Sequence, residues 1–118
     1  MTSQAHEHVL TSREFLAKAE EALAQDDLLQ ASEKGWGAAA HMVKSVAQRK
    51  GWLHNSHRDV YRVVNQLAQE AGESQIRLLF SSASALHTNF YENWMPQEMV
   101  GVNLSQIREF VQKLEALN

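Results

Sequence analysis

Histidine and basic side chains near the middle of the 118-residue chain are the first residues whose types suggest chemistry. His54 and His57 occur in the run RKGWLHNSHRD, and His87 falls later in a largely apolar segment. An imidazole titrates near neutral pH, so it can act as a general acid or base, and it can also ligate a metal ion. The HNSH spacing matches no strong zinc pattern, HExxH does not occur, and there is no cysteine. We therefore predict no metal site and no other cofactor.

The charge of this region differs from that of the rest of the chain. The net charge is -3, yet residues 41–62 carry five basic side chains against Asp59 alone, a balance of +4. A local basic site can bind a phosphate-bearing ligand, although the same residues could equally form a solvated helix end. Trp52 lies within the basic turn, where an aromatic ring suits a nucleotide base, so we expect it to be partly exposed. The predicted ligand-binding residues are His41, Lys50, Trp52, His57, Arg58 and Arg62.

His87 has two interpretations. Its helix face is otherwise apolar, so one interpretation is a buried imidazole that is hydrogen-bonded to a backbone carbonyl or to Tyr91. The other is a general acid or base at the floor of a groove, with Asn89 or Glu92 at the rim. No glycine-rich phosphate loop, GxSxG segment or nucleophilic cysteine is present, which excludes the common cofactor and hydrolase motifs.

Helical elements must position these side chains. One proline, few β-branched residues and many Ala, Leu, Gln and Glu residues favour an all-α fold. Apolar spacing predicts helices over residues 11–25, 26–50, 55–72 and 73–94, then a short turn from Pro96 to Gly101 and a last helix capped by Asn103. We expect an up-down antiparallel bundle of four to five helices in a single domain over residues 1–118. His6 and His8 precede the first helix, where we expect a frayed terminus, and Trp36 and Trp94 are expected to anchor the core.

The second predicted helix carries two apolar faces. One contains Trp36, and the other is a strip of small and soft residues, namely Ala31, Gly35, Ala38 and Met42. Glycine inside a helix costs about 1 kcal/mol relative to alanine, and close approach of another backbone is the usual compensation. Such a helix is either central in the bundle or lies against a partner subunit. We predict a homodimer through this Gly/Ala-rich face.

No apolar run approaches the roughly 18 residues of a membrane span, and the N-terminal residues do not resemble a signal peptide. We therefore expect a soluble, cytoplasmic protein that has no membrane partner.

Three segments resemble a known family in the expected order: DLLQASEKGWGAAAHMVKSVAQRKGW, HNSHRD and ALHTNFYENW. They are similar to small proteins of the PaREP1 type, which belong to the HEPN superfamily of helical bundles, and the resemblance extends from Leu28 to Leu114. It implies a bundle of four to five helices that is commonly dimeric.

The resemblance also implies a ribonuclease motif, in which an arginine and an adjacent polar residue are followed by a histidine four to six residues later. Arg49 and His54 have this spacing, but they lie at the end of the second helix, and Lys50 stands where the family has Asn, Asp or His. His87 is closer to the family's position. We therefore predict a non-catalytic module that binds a nucleotide, RNA or a partner protein through residues 49–62. The alternatives are a metal-independent ribonuclease that uses His87, His54 and Arg49, and a structural interaction protein without a small ligand.

Overall fold

Five α-helices form the protein, and the computed structural model describes residues 3–117. The helices are α1 (Ser3–Ala24), α2 (Leu28–Lys50), α3 (His57–Ala71), α4 (Gln75–Glu92) and α5 (Gln97–Leu117). No strand occurs among residues 3–117. The predicted all-α bundle is confirmed.

Capping residues set several of the helix ends. The Asp27 side chain accepts a hydrogen bond from the backbone N–H of Gln30 and so caps the start of α2. The Ser56 side chain accepts a hydrogen bond from the backbone N–H of Asp59 and so caps the start of α3. Gly51 ends α2 with a left-handed φ of 73°, a conformation that glycine adopts at little cost. The predicted caps of α2 and α3 are therefore confirmed.

The helix α2 is the centre of the bundle, because it packs against all four other helices. It runs antiparallel to α1, since His8 meets His41 while Ser12, further along α1, donates a hydrogen bond to the carbonyl of Ala38. The close approach of α5 to α2 explains why a glycine occurs at position 35, since an added Cβ there would lie only 2.7 Å from Leu104 Cδ2. The Gly/Ala-rich face of α2 is thus filled within the subunit.

This packing corrects one part of the dimer prediction. The side chains of Ala31, Ala38 and Met42 are all fully buried within one chain. A partner subunit cannot reach the Gly/Ala-rich face, so the structure supports the alternative that α2 is central. A dimer has to use another surface.

Two helices begin earlier in the chain than the predicted starts. The helix α1 begins at Ser3, well before Thr11, and Ser12 is buried inside it. His8 therefore lies on an ordered helix. The helix α5 runs unbroken from Gln97 because the carbonyl of Pro96 accepts the first helical hydrogen bonds, and Asn103 lies inside the helix and bonds to the carbonyl of Met99.

The end of α4 also differs from the prediction. Tyr91 and Trp94 are 73% and 64% exposed instead of facing the core. Asn89, expected at the rim of a groove, is fully buried. Its side-chain oxygen accepts hydrogen bonds from the N–H groups of Trp94 and Met95, and its amide donates to Ser32. Asn89 thus holds the turn between α4 and α5 against α2.

Candidate functional site

A cleft of about 490 Å³ opens between α2 and the segment that leads into α3. We call it the basic cleft, and its lining residues are Trp36, Gly37, Ala40, His41, Lys44, Asn55, Ser56, His57 and Val60. His41 and His57 are the two predicted ligand-binding residues that line it. His57 reaches the cleft because Gly51 ends α2 and Ser56 begins α3, which places His57 in the first turn of α3.

Lys44 supplies the lysine ammonium group of the basic cleft. It is half-buried, and it takes part in none of the ion pairs between described residues. None of the described residues that line the cleft is acidic. Asp59 lies outside the lining and is engaged by Arg62 and by the N–H of Asn55. An anion that enters the cleft would therefore meet Lys44, two imidazoles and the positive end of the α3 dipole.

His41 is joined to a second histidine. Its Nδ1 lies 2.9 Å from Nδ1 of His8 on α1, a hydrogen-bond distance at which one neutral ring donates and the other accepts. The edge of Phe15 packs on the same imidazole. Burial, His8 and Lys44 lower the pKa of His41 to about 4, so the imidazole is neutral at pH 7.

A second cleft of about 370 Å³ lies on the other side of this pair. We call it the histidine cleft, and its lining residues are Gln4, Glu7, His8, Thr11, His41, Gln48 and His54. Burial lowers the pKa of His8. The positive charges of Lys44 and His54 lower this pKa further, and the negative charge of Glu7 raises it. Among residues 3–117, no three His, Asp or Glu side chains are arranged to hold a metal ion.

The predicted catalytic residues are distributed over separate places. His54 lines the histidine cleft, where its Nδ1 lies 3.0 Å from the carbonyl oxygen of Trp52. Arg49 is exposed in the last turn of α2 and lines neither cleft. His87 lines neither cleft and belongs to an aromatic cluster behind the basic cleft.

The aromatic cluster centres on Trp36. The ring of His87 stacks on it with centroids 4.5 Å apart, and the ring of His57 lies 5.0 Å from that of His87. Phe80 and Tyr61 pack around the same indole. Trp36 is thus a packed wall of the basic cleft. Burial, and then the neighbouring His57, lower the pKa of His87.

Other predicted ligand-binding residues make contacts elsewhere. Lys50 forms an ion pair with Glu70 at 3.0 Å, and its ammonium group lies 5.2 Å from the ring centre of Trp52. Trp52 is half-buried, as predicted. Arg62 pairs with Asp59. None of these predicted residues lines the basic cleft.

Arg58 is exposed in the first turn of α3 and is not part of the cleft lining. Lys44 and His8 were missed as site residues. Lys44 could have been found because it follows His41 by three positions, which places both on one helix face. No local signal in the sequence pointed to His8, since its pairing depends on how α1 packs against α2.

The fold and the clefts define a small all-α bundle protein with a basic cleft beside its central helix. The sequence model of the archaeal PaREP1/PaREP8 family matches residues 7–111, and the chain belongs to this family. A crystal structure of a protein from Sulfolobus solfataricus is similar, with a TM-score of 0.80 and 22% sequence identity over 90% of this chain and 94% of that one. At this identity the likeness concerns the fold alone. A search of the curated proteins gives no match. None of the described helices is both long and apolar enough to cross a membrane.

Proposed function

We propose that the protein is a non-catalytic binding module whose basic cleft takes a phosphate-bearing ligand of the nucleotide type. The observation that carries this proposal is the lining of the cleft. Lys44 lies with His41 and His57, and no described lining residue is acidic. A half-buried lysine without an acidic partner is stabilised by an anion, and charge-assisted hydrogen bonds to phosphate are among the stronger ones in proteins.

The size of the cleft is consistent with a small ligand. About 490 Å³ falls within the usual range for small-molecule sites. Ala40 and Val60 form the apolar part of the lining beside the polar groups. Because the Trp36 ring is packed by His87, we assign Trp36 to the cleft wall and not to base stacking.

Titration with adenosine monophosphate, followed by NMR, tests this function. Lys44→Ala should weaken binding about 10- to 100-fold, since one charge-assisted hydrogen bond contributes roughly 1.5–3 kcal/mol. Lys50→Ala is the matched control, because Lys50 pairs with Glu70 outside the cleft, and it should change binding less than twofold. Equal losses in the two variants, or no binding by the wild-type protein, would contradict the proposal.

A ribonuclease is the second candidate function, and the contact between His57 and His87 favours it. Two imidazoles whose rings lie 5.0 Å apart could act as an acid and base pair on a phosphodiester. In that case, purified protein should cleave RNA without added metal, and His57→Ala and His87→Ala should each abolish cleavage. Intact RNA after prolonged incubation would exclude this function.

The relation to the HEPN superfamily and the homodimer are also part of the proposal. The resemblance of the three sequence segments supports the HEPN relation, and a five-helix bundle is compatible with it. A dimer would have to use a surface other than the Gly/Ala-rich face of α2. Sedimentation of the wild-type protein measures whether a dimer forms.

A further inference from the structure

Among the described residues, His41 alone lines both the basic cleft and the histidine cleft. In the basic cleft it lies three positions before Lys44 on α2. Towards the histidine cleft it shares a hydrogen bond with His8, the two Nδ1 atoms being 2.9 Å apart. Any charge bound beside Lys44 therefore acts on a hydrogen-bonded pair of imidazoles that reaches from α2 to α1.

The His8–His41 pair can bind one additional proton and keep its hydrogen bond. With both rings neutral, one Nδ1–H donates to the other Nδ1. A first added proton goes to the free Nε2 of the donor ring, because the acceptor ring already carries a hydrogen on its Nε2, and the shared N–H···N bond becomes charge-assisted. A second proton leaves two donors facing each other and breaks the bond. The pair can thus take up one proton without losing the contact between α1 and α2.

Charged neighbours decide whether that proton is present. Lys44 on α2 and His54 in the turn before α3 disfavour it, and Glu7 on α1 favours it. His57 at the start of α3 faces the basic cleft. Burial of the His41 ring, like the charge of Lys44, disfavours its protonation. An anion that neutralises Lys44 removes one of the positive charges that keep the pair unprotonated.

We propose that the His8–His41 pair couples anion binding in the basic cleft to the uptake of one proton, so that the ligand binds more tightly as the pH falls. This inference rests on the proposed function, because it needs an anion beside Lys44. The pair provides the proton site, and His41 connects that site to the cleft. The coupling is reciprocal, so the bound anion must raise the proton affinity of the pair by the same factor.

Sulfate is a suitable probe, because its charge does not change between pH 4 and 8. We would record the histidine ring signals of the wild-type protein by NMR across this range, with and without saturating sulfate. Sulfate should move the titration midpoint of the His8–His41 pair to higher pH. Its dissociation constant should fall by up to about tenfold per pH unit as the pH decreases, the limit for one linked proton.

Two variants separate the pair from the other histidines. His41→Gln keeps a polar side chain at the cleft and should weaken this pH dependence. His6→Gln changes an exposed histidine of α1 and should leave the dependence as in the wild type. The wild-type NMR titration needs no variant, so the proposal can be tested even if His41→Gln does not fold.

The outcomes distinguish the two proposals. A shifted midpoint together with a weaker pH dependence in His41→Gln supports the coupling. Lys44-dependent sulfate binding with an unchanged midpoint overturns the coupling and leaves the proposed function standing. The absence of Lys44-dependent binding of both sulfate and adenosine monophosphate at every pH overturns the proposed function and the coupling with it.

Discussion

The imidazole of His87 stacks on the indole of Trp36, with ring centroids 4.5 Å apart and planes inclined by 30°. Trp36 comes from the central helix α2 and His87 from α4, so the contact joins two helices directly behind the basic cleft. His57 touches both rings and lines the cleft itself. A change in the cleft can therefore be detected at His87, although His87 does not line it.

The titration of His87 is the first prediction. Burial is the main cause that lowers its pKa, and His57 is the second. In the wild type, the titration midpoint of His87 should lie below pH 6.5. His57→Gln should raise this midpoint part of the way towards 6.5, because one positive neighbour is lost. NMR of the ring protons measures this. Tyr91→Phe is the control, since it keeps the edge contact with His87 and should leave the midpoint unchanged. A wild-type midpoint at or above 6.5 would refute the assignment.

The second prediction concerns stability against pH. The folded protein holds His41 with a pKa of about 4, against 6.5 in the unfolded chain. Between these values the unfolded chain binds more protons, so the free energy of unfolding rises with pH. The contribution of His41 is fully present above about pH 6.5, and roughly 2–3 kcal/mol of it is lost as the pH falls to about 4.

Urea denaturation at several pH values between 4 and 7 measures this dependence. His41→Gln should flatten the curve relative to the wild type, whereas His6→Gln should leave it unchanged. Parallel curves for the wild type and His41→Gln would show that the His8–His41 pair titrates normally.

Packing at Gly35 gives the third prediction. An added Cβ would lie 2.7 Å from Leu104 Cδ2 and 2.9 Å from Leu86 Cδ1, both of them buried side chains. Gly35→Ala should therefore destabilise the protein by about 1–3 kcal/mol, because overpacking outweighs the gain in helix propensity. Gly101→Ala is the matched control. Its Cβ would meet Leu23 at an ordinary 3.7 Å, and it should stabilise α5 by roughly 0.5–1 kcal/mol. Thermal or urea unfolding of both variants measures the difference, and similar effects would contradict the close approach at Gly35.

The buried amide of Asn89 gives the fourth prediction. Asn89→Ala leaves the N–H groups of Trp94 and Met95 without their acceptor and Ser32 without its donor. The loss should be about 2–4 kcal/mol in the free energy of unfolding, measured by urea denaturation. Asn65→Ala removes an exposed bond to Arg77 and should cost less than about 1 kcal/mol. An Asn89→Ala variant as stable as Asn65→Ala would show that this turn does not depend on the amide.

Local signals in the sequence determined the helical fold and most of its boundaries. Asp27, Gly51 and Ser56 act within a few residues of their own position, so their roles as caps could be predicted without the tertiary structure. The same holds for the exposure of Trp52 in a polar turn. The start of α5 was misplaced because Gly101 and Asn103 resemble end signals, whereas packing of the continuous helix on the core outweighs these weak preferences.

The site was decided by the tertiary structure. The concentration of positive charge drew attention to residues 41–62, but Lys50 pairs with Glu70, which is distant in the chain, and Arg62 pairs with Asp59 on its own helix. Lys44 is left in a cleft that has no acidic side chain among its described lining residues, and His8 meets His41 only because α1 and α2 pack antiparallel. Which helix faces meet depends on burying apolar surface over the whole chain, and no local pattern of residue types contains that information.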